Sequence, residues 1–414
     1  MMKRPEILSP AGDPESLYAA LRFGADAVYL AGKQYGMRTA SKNFSTEELY
    51  EACRAAHEQH KKVYLTCNTL PRNADLPSMP DFLREAASAG VDAFIIADLG
   101  VFEMAGRYAP DVERHISTQG GVINYESALA WYRMGAKRVV LAREMRLDEI
   151  AELRAKIPDE LQIECFVNGA MCVSFSGRCL ISSYLTGRDA NRGDCAQPCR
   201  WKYHLVEENR DGQFFPVEER DGGTYLYNSR DLCMIGHIPE LIAAGVDSFK
   251  IEGRAKSYYY AAVTANAYRH AVDEYLSCRD ADYRLSPWIR EELDKISHRP
   301  YSTGFFFGSE PGQDTAVGGY IRRYNAVAVC EQSTADGAAV ITQRNKFLVG
   351  DTLDILPPGG RPYETRCLLL RNMDGEEVPS APHPMQRLWI VTDLPLNEGS
   401  VIRKKNEEPV SAAR

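Results

Sequence analysis

The amino-acid sequence predicts an α/β protein, a (β/α)₈ TIM-like barrel followed by a small antiparallel β-barrel domain. Three observations support this prediction: a glycine-led phrase that recurs along the chain, short apolar runs that alternate with amphipathic helical patterns, and a loss of helical periodicity near residue 317. A chain of 414 residues has room for one large domain and one small one.

The recurring phrase begins at Gly24, Gly90, Gly135 and Gly245, and each copy follows a helical pattern and opens a short apolar run. Glycine is favoured just past a helix end, where the backbone turns left-handed. A continuous apolar run is typical of a parallel strand that is buried on both faces. Each copy therefore marks one junction between a helix and the next strand.

Eight candidate strands separated by helical patterns favour a closed barrel over residues 1–305. An open, doubly wound sheet is the alternative, because periodicity does not show whether a sheet closes. The strands are predicted near residues 6–10, 26–31, 62–67, 92–97, 113–118, 137–142, 161–167 and 246–251. Helices are predicted over residues 45–60, 79–90, 124–135, 147–157 and about 257–277.

The last quarter of the chain shows short strand patterns separated by turns, which predicts a small β-barrel domain over residues 317–405. Residues 306–316 are expected to link the two domains, and residues 406–414 to form a frayed tail. Strands are predicted at 326–330, 338–342, 352–355, 367–370 and 388–391, with tight turns at 357–360 and 374–375.

The composition of the chain is typical of a globular protein and argues against several other classes of protein. A net charge of −8, with 44% hydrophobic and 26% charged residues, is ordinary for a globular protein and argues against a wholly basic nucleic-acid binder. No apolar run approaches the roughly 20 residues of a membrane span, and the first residues enter a strand pattern at once. We therefore expect a cytoplasmic protein without membrane contact. The odd number of cysteines, 11, argues against a secreted disulfide framework.

A long segment after the seventh predicted strand, about residues 170–237, contains Cys172, Cys179, Cys195 and Cys199. Loops of this length are usually functional, and loops that follow barrel strands lie on the face where active sites form. Clustered thiolates bind zinc or iron–sulfur clusters. Only the last two cysteines have the close spacing of a zinc knuckle, so the spacing predicts a metal and leaves its identity open. A zinc clip that merely ties down the loop is the structural alternative.

Basic and aromatic residues alternate around the cysteines. Cations neutralise phosphates and aromatic rings stack on unpaired bases, which is the combination that single-stranded RNA recognition requires. The segment therefore predicts a contact with RNA, with a solvated surface over a few packed rings as the alternative. The residues concerned are Arg178, Arg188, Arg192, Arg200 and Lys202, with Tyr184, Trp201 and Tyr203.

Four sequence stretches carry a resemblance to a known family: residues 164–182, 188–193, 199–201 and 250–254. They resemble the collagenase-like peptidase family U32, and the likeness covers essentially the whole chain, including its β-rich end. Within that family the chain most resembles the branch that hydroxylates tRNA.

The resemblance implies an enzyme that makes 5-hydroxyuridine at the tRNA wobble position with prephenate as a required metabolite. It also implies that the four cysteines hold a 4Fe–4S cluster, which makes zinc the less favoured metal. Relatives hydroxylate a ribosomal-RNA cytidine or ubiquinone precursors without molecular oxygen. The expected partners are tRNA, a small dicarboxylate and, in a heterodimer, a shorter relative.

Charged residues at the end of the last predicted barrel strand complete the candidate site. Because side chains alternate along a strand, Lys250, Glu252 and Arg254 share one side, which faces the barrel mouth. Lys250 and Glu252 are candidate catalytic residues. Arg254, Lys256 and Arg143 are candidates for binding the dicarboxylate, since arginine matches a carboxylate in bidentate geometry. The alternative is an internal ion pair of Glu252 that only fills the barrel.

Polar residues at the ends of the third and fifth predicted strands could hydrogen-bond a base or metabolite. They are Asn68, His115, Ser117, Thr118 and Gln119, and His115 is assigned no role because a lone histidine is usually a packed polar group.

Two other functions remain open from the sequence. The family name suggests a collagenase-like peptidase, but the chain has neither a His-Glu-x-x-His nor a Gly-x-Ser-x-Gly motif. The third possibility is a non-catalytic subunit that holds a cluster or zinc and partners an active relative.

Overall fold

The computed structural model describes residues 3–37, 42–201, 229–278, 283–308, 320–334 and 337–406. Most of the predicted linker and tail, and the candidate RNA contacts Lys202 and Tyr203, lie outside the described residues. None of the helices in the described ranges combines the length and the apolar composition needed to cross a lipid bilayer.

The elements are numbered in chain order. The helices are α1 (Pro14–Arg22), α2 (Thr46–His57), α3 (Met79–Ala89), α4 (Leu99–Tyr108), α5 (Tyr125–Arg133), α6 (Leu147–Lys156), α7 (Ile181–Thr186), α8 (Ile238–Ala243), α9 (Tyr258–Cys278) and α10 (Pro287–Lys295). The first ten strands are β1 (Glu6–Pro10), β2 (Ala27–Leu30), β3 (Lys62–Cys67), β4 (Ala93–Ile96), β5 (Glu113–Ile116), β6 (Arg138–Val140), β7 (Gln162–Ala170), β8 (Asp231–Cys233), β9 (Ser248–Ile251) and β10 (Tyr301–Ser302). The remaining strands are β11 (Tyr324–Ser333), β12 (Ala338–Gln343), β13 (Phe347–Leu348), β14 (Thr352–Leu356), β15 (Tyr363–Arg371), β16 (Ser380–Ala381), β17 (Arg387–Thr392) and β18 (Val401–Lys405).

Strands β1 to β7 and β9 form a closed parallel barrel, which confirms the predicted fold class. Neighbours in sequence pair in order from β1 to β7, and β9 closes the ring by pairing with both β1 and β7. The four glycines of the recurring phrase all adopt positive φ, and Gly90 ends α3 with φ 91°. The glycine signal therefore marked real helix ends, because an L side chain is strained in that conformation.

A layer of paired charges fills the barrel interior. Arg138 lies between two carboxylates, donating to Glu6 Oε1 at 2.6 Å and to Glu164 Oε2 at 2.8 Å. Lys250 donates to the other oxygen of Glu164 at 2.7 Å. Tyr64 donates its hydroxyl to Glu6 at 2.7 Å. These groups come from five different strands, so the layer joins the strands of the barrel across its axis.

The cysteine-bearing insertion begins on an extension of β7 beyond the barrel. Strand β8 pairs antiparallel with that extension, joining Ala170 to Asp231. Short helix α7 follows the second cysteine of the insertion. Backbone hydrogen bonds such as Leu70 N–H to Asn191 O, 3.1 Å, attach the insertion to the loop after β3.

Six antiparallel strands close the C-terminal barrel in the order β11-β12-β17-β15-β14-β18. Strand β18 was not among the predicted strands, because Arg403, Lys404 and Lys405 hide its strand pattern. Arg403 is fully buried, and its guanidinium binds Glu292 of α10 at 2.6 Å and Asp354 of β14. This buried ion pair connects the two domains.

Candidate functional site: a thiol-lined cavity at the barrel mouth

A cavity of roughly 180 Å³ lies at the carboxyl ends of the barrel strands. Asn68 follows β3, Ser117 and Gln119 follow β5, and Arg143 follows β6. Active sites of (β/α)₈ barrels form on this face, from the loops that follow the strands. The insertion covers the cavity from the other side.

All four cysteines of the insertion, Cys172, Cys179, Cys195 and Cys199, line this cavity as half-buried free thiols. Two backbone N–H groups donate to their sulfurs: Ile181 to Cys179 Sγ and Gln197 to Cys195 Sγ, both at 3.4 Å. Burial raises the pKa of Cys199; Arg200 opposes the shift and the three other thiols add to it. The four sulfurs therefore lie near enough to influence one another. Within the described ranges, no three His, Cys, Asp or Glu side chains form a compact ligand set for a metal ion.

A carboxylate outside the insertion holds the turn between the first two cysteines. Ser176 has φ 47°, a left-handed conformation that is uncommon for a residue with a side chain. Its backbone N–H donates to Glu144 Oε1 at 2.8 Å, and its hydroxyl donates to Glu144 Oε2 at 2.9 Å. Glu144 follows β6, so the barrel itself fixes the conformation of the loop.

A second carboxylate fixes the part of the insertion between Cys179 and Cys195. Arg192 makes a bidentate contact with Asp75, at 2.6 and 3.1 Å. The Arg192 side chain and the backbone N–H of Arg72 together lower the pKa of Asp75 to about 2. Asn191 donates its side-chain N–H to the carbonyl oxygen of Cys179 at 3.2 Å, which links this segment back to the thiols.

Two of the three predicted dicarboxylate-binding residues, Arg143 and Arg254, line the cysteine cavity. The Arg143 guanidinium lies 3.8 Å from the ring centre of Phe166, donates to the carbonyl oxygen of Ala170 at 2.7 Å, and lies 3.9 Å from Glu252. Arg254 is only 4% exposed. Lys256 does not join them, because it faces a separate cleft between the two domains.

The candidate catalytic residues Lys250 and Glu252 also line the cavity. The Lys250 ammonium is 4% exposed and pairs with Glu164, not with Glu252. Burial by itself would raise the pKa of Glu164, but Lys250 and Arg138 hold it below its usual value. Glu252 instead lies 3.9 Å from the guanidinium of Arg143. Gly169 lets β7 pass the carbonyl oxygen of Glu252, since a Cβ at Gly169 would lie 2.3 Å from that oxygen.

A chain of hydrogen bonds orients one amide toward the cavity. The backbone N–H of Met37 donates to Asn68 Oδ1 at 3.3 Å, which leaves the Asn68 amide nitrogen to donate to Gln119 Oε1 at 3.1 Å. The Gln119 side-chain nitrogen is buried and has no hydrogen-bond partner among the described residues. Buried amides normally find a partner, so this donor is suited to a ligand. His115 does not line the cavity; its ring packs edge-on against Tyr64 at 4.9 Å.

The predicted RNA-contacting residues lie on the insertion in three different environments. Arg188 pairs with Asp194 at 2.7 Å, and Arg192 with Asp75 as described. Arg200 lines both the cysteine cavity and the interdomain cleft, and donates to the Tyr320 hydroxyl at 3.1 Å. Trp201 is exposed, together with several other large apolar side chains of the insertion: Phe175, Leu180, Tyr184 and Leu185.

Sequence reasoning missed four residues that organise the site: Asp75, Glu144, Glu164 and Tyr320. Glu144 and Glu164 could have been found, since one directly follows a predicted barrel strand and the other lies within one. Asp75 and Tyr320 lie in loops, and their sequence neighbours give no signal of their partners.

The fold and the cavity define a (β/α)₈ barrel protein with a thiol-lined site at its carboxyl face and a C-terminal β-barrel. The chain belongs to peptidase family U32. The family model "Peptidase family U32" matches residues 12–316, and "Peptidase family U32 C-terminal domain" matches residues 322–403. The resemblance seen in the sequence motifs is thereby confirmed.

Three relatives illustrate the range of names in the family. The chain is 35% identical to tRNA hydroxylation protein P1 of Bacillus subtilis (strain 168), over 97% of this chain and 95% of that protein. It is 33% identical to tRNA hydroxylation protein P of Escherichia coli (strain K12), over 98% of each. It is also 33% identical to a protein named collagenase from Porphyromonas gingivalis, over 75% of each.

Proposed function

We propose that this protein is an RNA-modifying enzyme that hydroxylates the wobble uridine of tRNA to 5-hydroxyuridine, with a 4Fe–4S cluster on its four clustered cysteines and prephenate as co-substrate. The observation that carries the proposal is the meeting of four thiols, three arginines and the amide of Gln119 in one cavity. The two relatives named for tRNA hydroxylation, which match nearly the whole chain, support the choice of RNA as substrate.

The donor set fits an iron–sulfur cluster. Four thiols line one cavity, and two of them accept backbone N–H bonds, the kind of interaction that tunes cluster sulfurs. A four-iron cluster takes one thiolate on each iron, so its ligands lie farther apart than four ligands of one zinc ion. Cys172, Cys179, Cys195 and Cys199 would hold the cluster, which would supply electron transfer or a Lewis-acidic iron at the cavity.

The other residues bind and orient the substrates. Arg143 and Arg254 present guanidinium groups that match the two carboxylates of prephenate. The Gln119 amide donates toward the carbonyl edge of a uracil that has left its stack, as enzymes acting on a base require. The exposed rings of Tyr184 and Trp201 offer stacking surfaces for neighbouring bases.

A peptidase function has less support from the site. Peptide hydrolysis needs an activated nucleophile or a metal-bound water. Within the described residues, the hydroxyl of Ser176 is engaged with Glu144, and no histidine lines the cavity. The collagenase name of one relative is therefore not matched by a serine–histidine pair among the described cavity residues.

Nucleoside analysis tests the proposal. We expect tRNA from a deletion strain grown without oxygen to lack 5-hydroxyuridine and its derivatives by mass spectrometry. The wild-type chain and the exposed-cysteine control Cys278→Ala should restore the nucleoside, and Cys172→Ala should not. Unchanged 5-hydroxyuridine in the deletion strain would refute the proposal. Restoration of 5-hydroxyuridine by Cys172→Ala would refute the assigned role of the thiols. Restoration only when a shorter relative is co-expressed would identify the chain as one subunit of a heterodimer.

A further inference from the structure

A second cavity, of about 530 Å³, lies between the barrel and the C-terminal domain. We call it the interdomain cleft; it is lined by Arg200 of the insertion, Lys256 of the loop after β9, and Tyr320, Arg322 and Arg344 of the C-terminal part. Ala170, Gln197, Arg200, Glu252 and Ala255 line both this cleft and the cysteine cavity. The two cavities are therefore neighbours that share a wall.

The interdomain cleft carries an excess of positive charge. Its lining includes Arg200, Lys256, Arg322 and Arg344, of which Arg344 is paired with Glu15, and Glu252 is the one carboxylate among the described lining residues. Lys256 donates to the carbonyl oxygen of Ser297 at 3.2 Å and Arg200 to the hydroxyl of Tyr320 at 3.1 Å. In the part of the chain that the structure describes, neither cation forms an ion pair with a carboxylate. Both cations are half-buried, and removing a cation from water is costly without an anion, so the cleft is suited to an anionic ligand.

The positive charge of the interdomain cleft also acts on Tyr320. The Lys256 ammonium lies 3.8 Å from the centre of the Tyr320 ring. Burial by itself would raise the pKa of the Tyr320 phenol, but Lys256, Arg200 and Arg299 together lower it. Asp231, which pairs with Arg299 at 2.8 Å, opposes this lowering of the Tyr320 pKa, but the three cations outweigh it.

The two walls of the cleft are held together by buried charges. Arg403 of β18 binds Glu292 of α10 at 2.6 Å, and Lys295 of α10 binds Asp354 of β14 at 2.5 Å. These pairs lie across the domain boundary, so the C-terminal domain keeps a fixed position beside the barrel. The cleft is therefore built into the fold.

We propose that the interdomain cleft binds the phosphate backbone of single-stranded RNA beside the base held in the cysteine cavity. The inference rests on the proposed function for the identity of the RNA. A base extruded into the cysteine cavity leaves its backbone phosphates outside that cavity, and the interdomain cleft is the adjoining space lined with cations. Tyrosine rings alternate with these cations, as in other sites that follow a single strand.

Salt-dependent RNA binding tests the cleft without catalytic turnover. We would measure fluorescence anisotropy of a labelled single-stranded oligouridylate against the full-length wild-type protein, Lys256→Gln and Arg322→Gln over a range of KCl. Each variant should lower the slope of log affinity against log salt by about 0.7, the value for one phosphate contact on a single strand. Lys256→Arg should keep the wild-type slope. The matched control is Lys62→Gln, at the opposite end of the barrel, which should also leave the slope unchanged.

Three outcomes would overturn the assignment. One is a wild-type slope in both Lys256→Gln and Arg322→Gln. Arg322 is exposed at the rim of the cleft, so its replacement should not affect folding. A wild-type protein without measurable RNA affinity would also overturn it. The third is an unchanged RNA slope with lost prephenate binding in Lys256→Gln, which would assign the cleft to the dicarboxylate. If nucleoside analysis of the deletion strain shows unchanged 5-hydroxyuridine while the salt slopes of the variants change as expected, the proposed function would fail. The assignment of the cleft to RNA would still stand in that case.

Discussion

At the scale of single residues, the amide of Gln119 has the most specific chemistry in the cavity. The hydrogen bonds from Met37 to Asn68 and from Asn68 to Gln119 leave a nitrogen donor, not an oxygen acceptor, without a partner among the described residues. Uracil presents a carbonyl acceptor at its fourth ring position, where cytosine presents an amino donor. The orientation of one amide therefore offers a means of selecting uridine over cytidine.

Replacement of Gln119 tests this selection. Gln119→Leu keeps the approximate size of the side chain and removes the donor, so we expect uridine hydroxylation to fall by 10-fold or more, on the order of the 1–3 kcal/mol of a good base contact. Gln119→Glu replaces the donor by an acceptor and should be at least as impaired on uridine. The measurement is the rate of modification of tRNA with uridine or cytidine at the target position. Wild-type rates on uridine in both variants would contradict the role of Gln119.

At the residue scale, the sequence allows residues of unusual type to be singled out, but it does not show which distant residues contact one another. Cys172 and its three partners, which line one cavity, could be singled out because cysteines are recognisable by type and spacing. The pairing of Lys250 with Glu164, and not with Glu252, depends on the register of two strands that are distant in sequence. No local pattern encodes such a contact.

At the scale of elements, the barrel is joined internally by charges from strands β1, β6, β7 and β9. Glu6 begins β1 and receives hydrogen bonds from Arg138 of β6 and Ser248 of β9, at 2.6 and 2.9 Å. Burial by itself would raise the pKa of Glu6, but the charge and hydrogen bonds of Arg138, Tyr64 and Ser248 lower it to about 2. An ionised Glu6 therefore stabilises the closed ring of strands.

The lowered pKa of Glu6 gives a stability prediction with a definite sign. A carboxyl group whose pKa falls from 4.5 unfolded to about 2 folded stabilises the protein above pH 4.5, and this contribution is lost as the pH falls toward 2. We expect Glu6→Gln to lose about 3 kcal/mol of unfolding free energy at neutral pH, and the difference from wild type to shrink in acid. Denaturant unfolding at several pH values measures it. The exposed control Glu58→Gln should differ little, and a pH-independent deficit in Glu6→Gln would contradict the account.

The elements found from sequence are those with a repeated or apolar signature. Every predicted barrel strand is present in the structure. Each could be predicted because it combines an apolar run with a glycine or a helical neighbour. Strands β8 and β18 and helix α7 were not predicted. Strand β8 has three residues and β18 is rich in lysine and arginine, so neither has the alternation that marks a strand. Their pairing partners, not their own sequences, determine their conformation.

At the scale of the whole molecule, the barrel, insertion and C-terminal domain together build two adjoining sites. The insertion contributes the thiols and is fixed by Glu144 and Asp75 of the barrel. The C-terminal domain contributes a wall of the interdomain cleft and is fixed through Arg403. Each part of the chain thus supplies one face of the space that we assign to RNA.

The central claim, that the four cavity thiols hold an iron–sulfur cluster, is tested most directly by metal analysis of protein purified without oxygen. We predict about four iron and four sulfide ions per chain. Cys172→Ala, Cys179→Ala, Cys195→Ala and Cys199→Ala should each lose most of both, and Cys278→Ala should retain them. About one zinc ion per chain with no sulfide, or iron and sulfide that survive all four cavity substitutions, would contradict the claim.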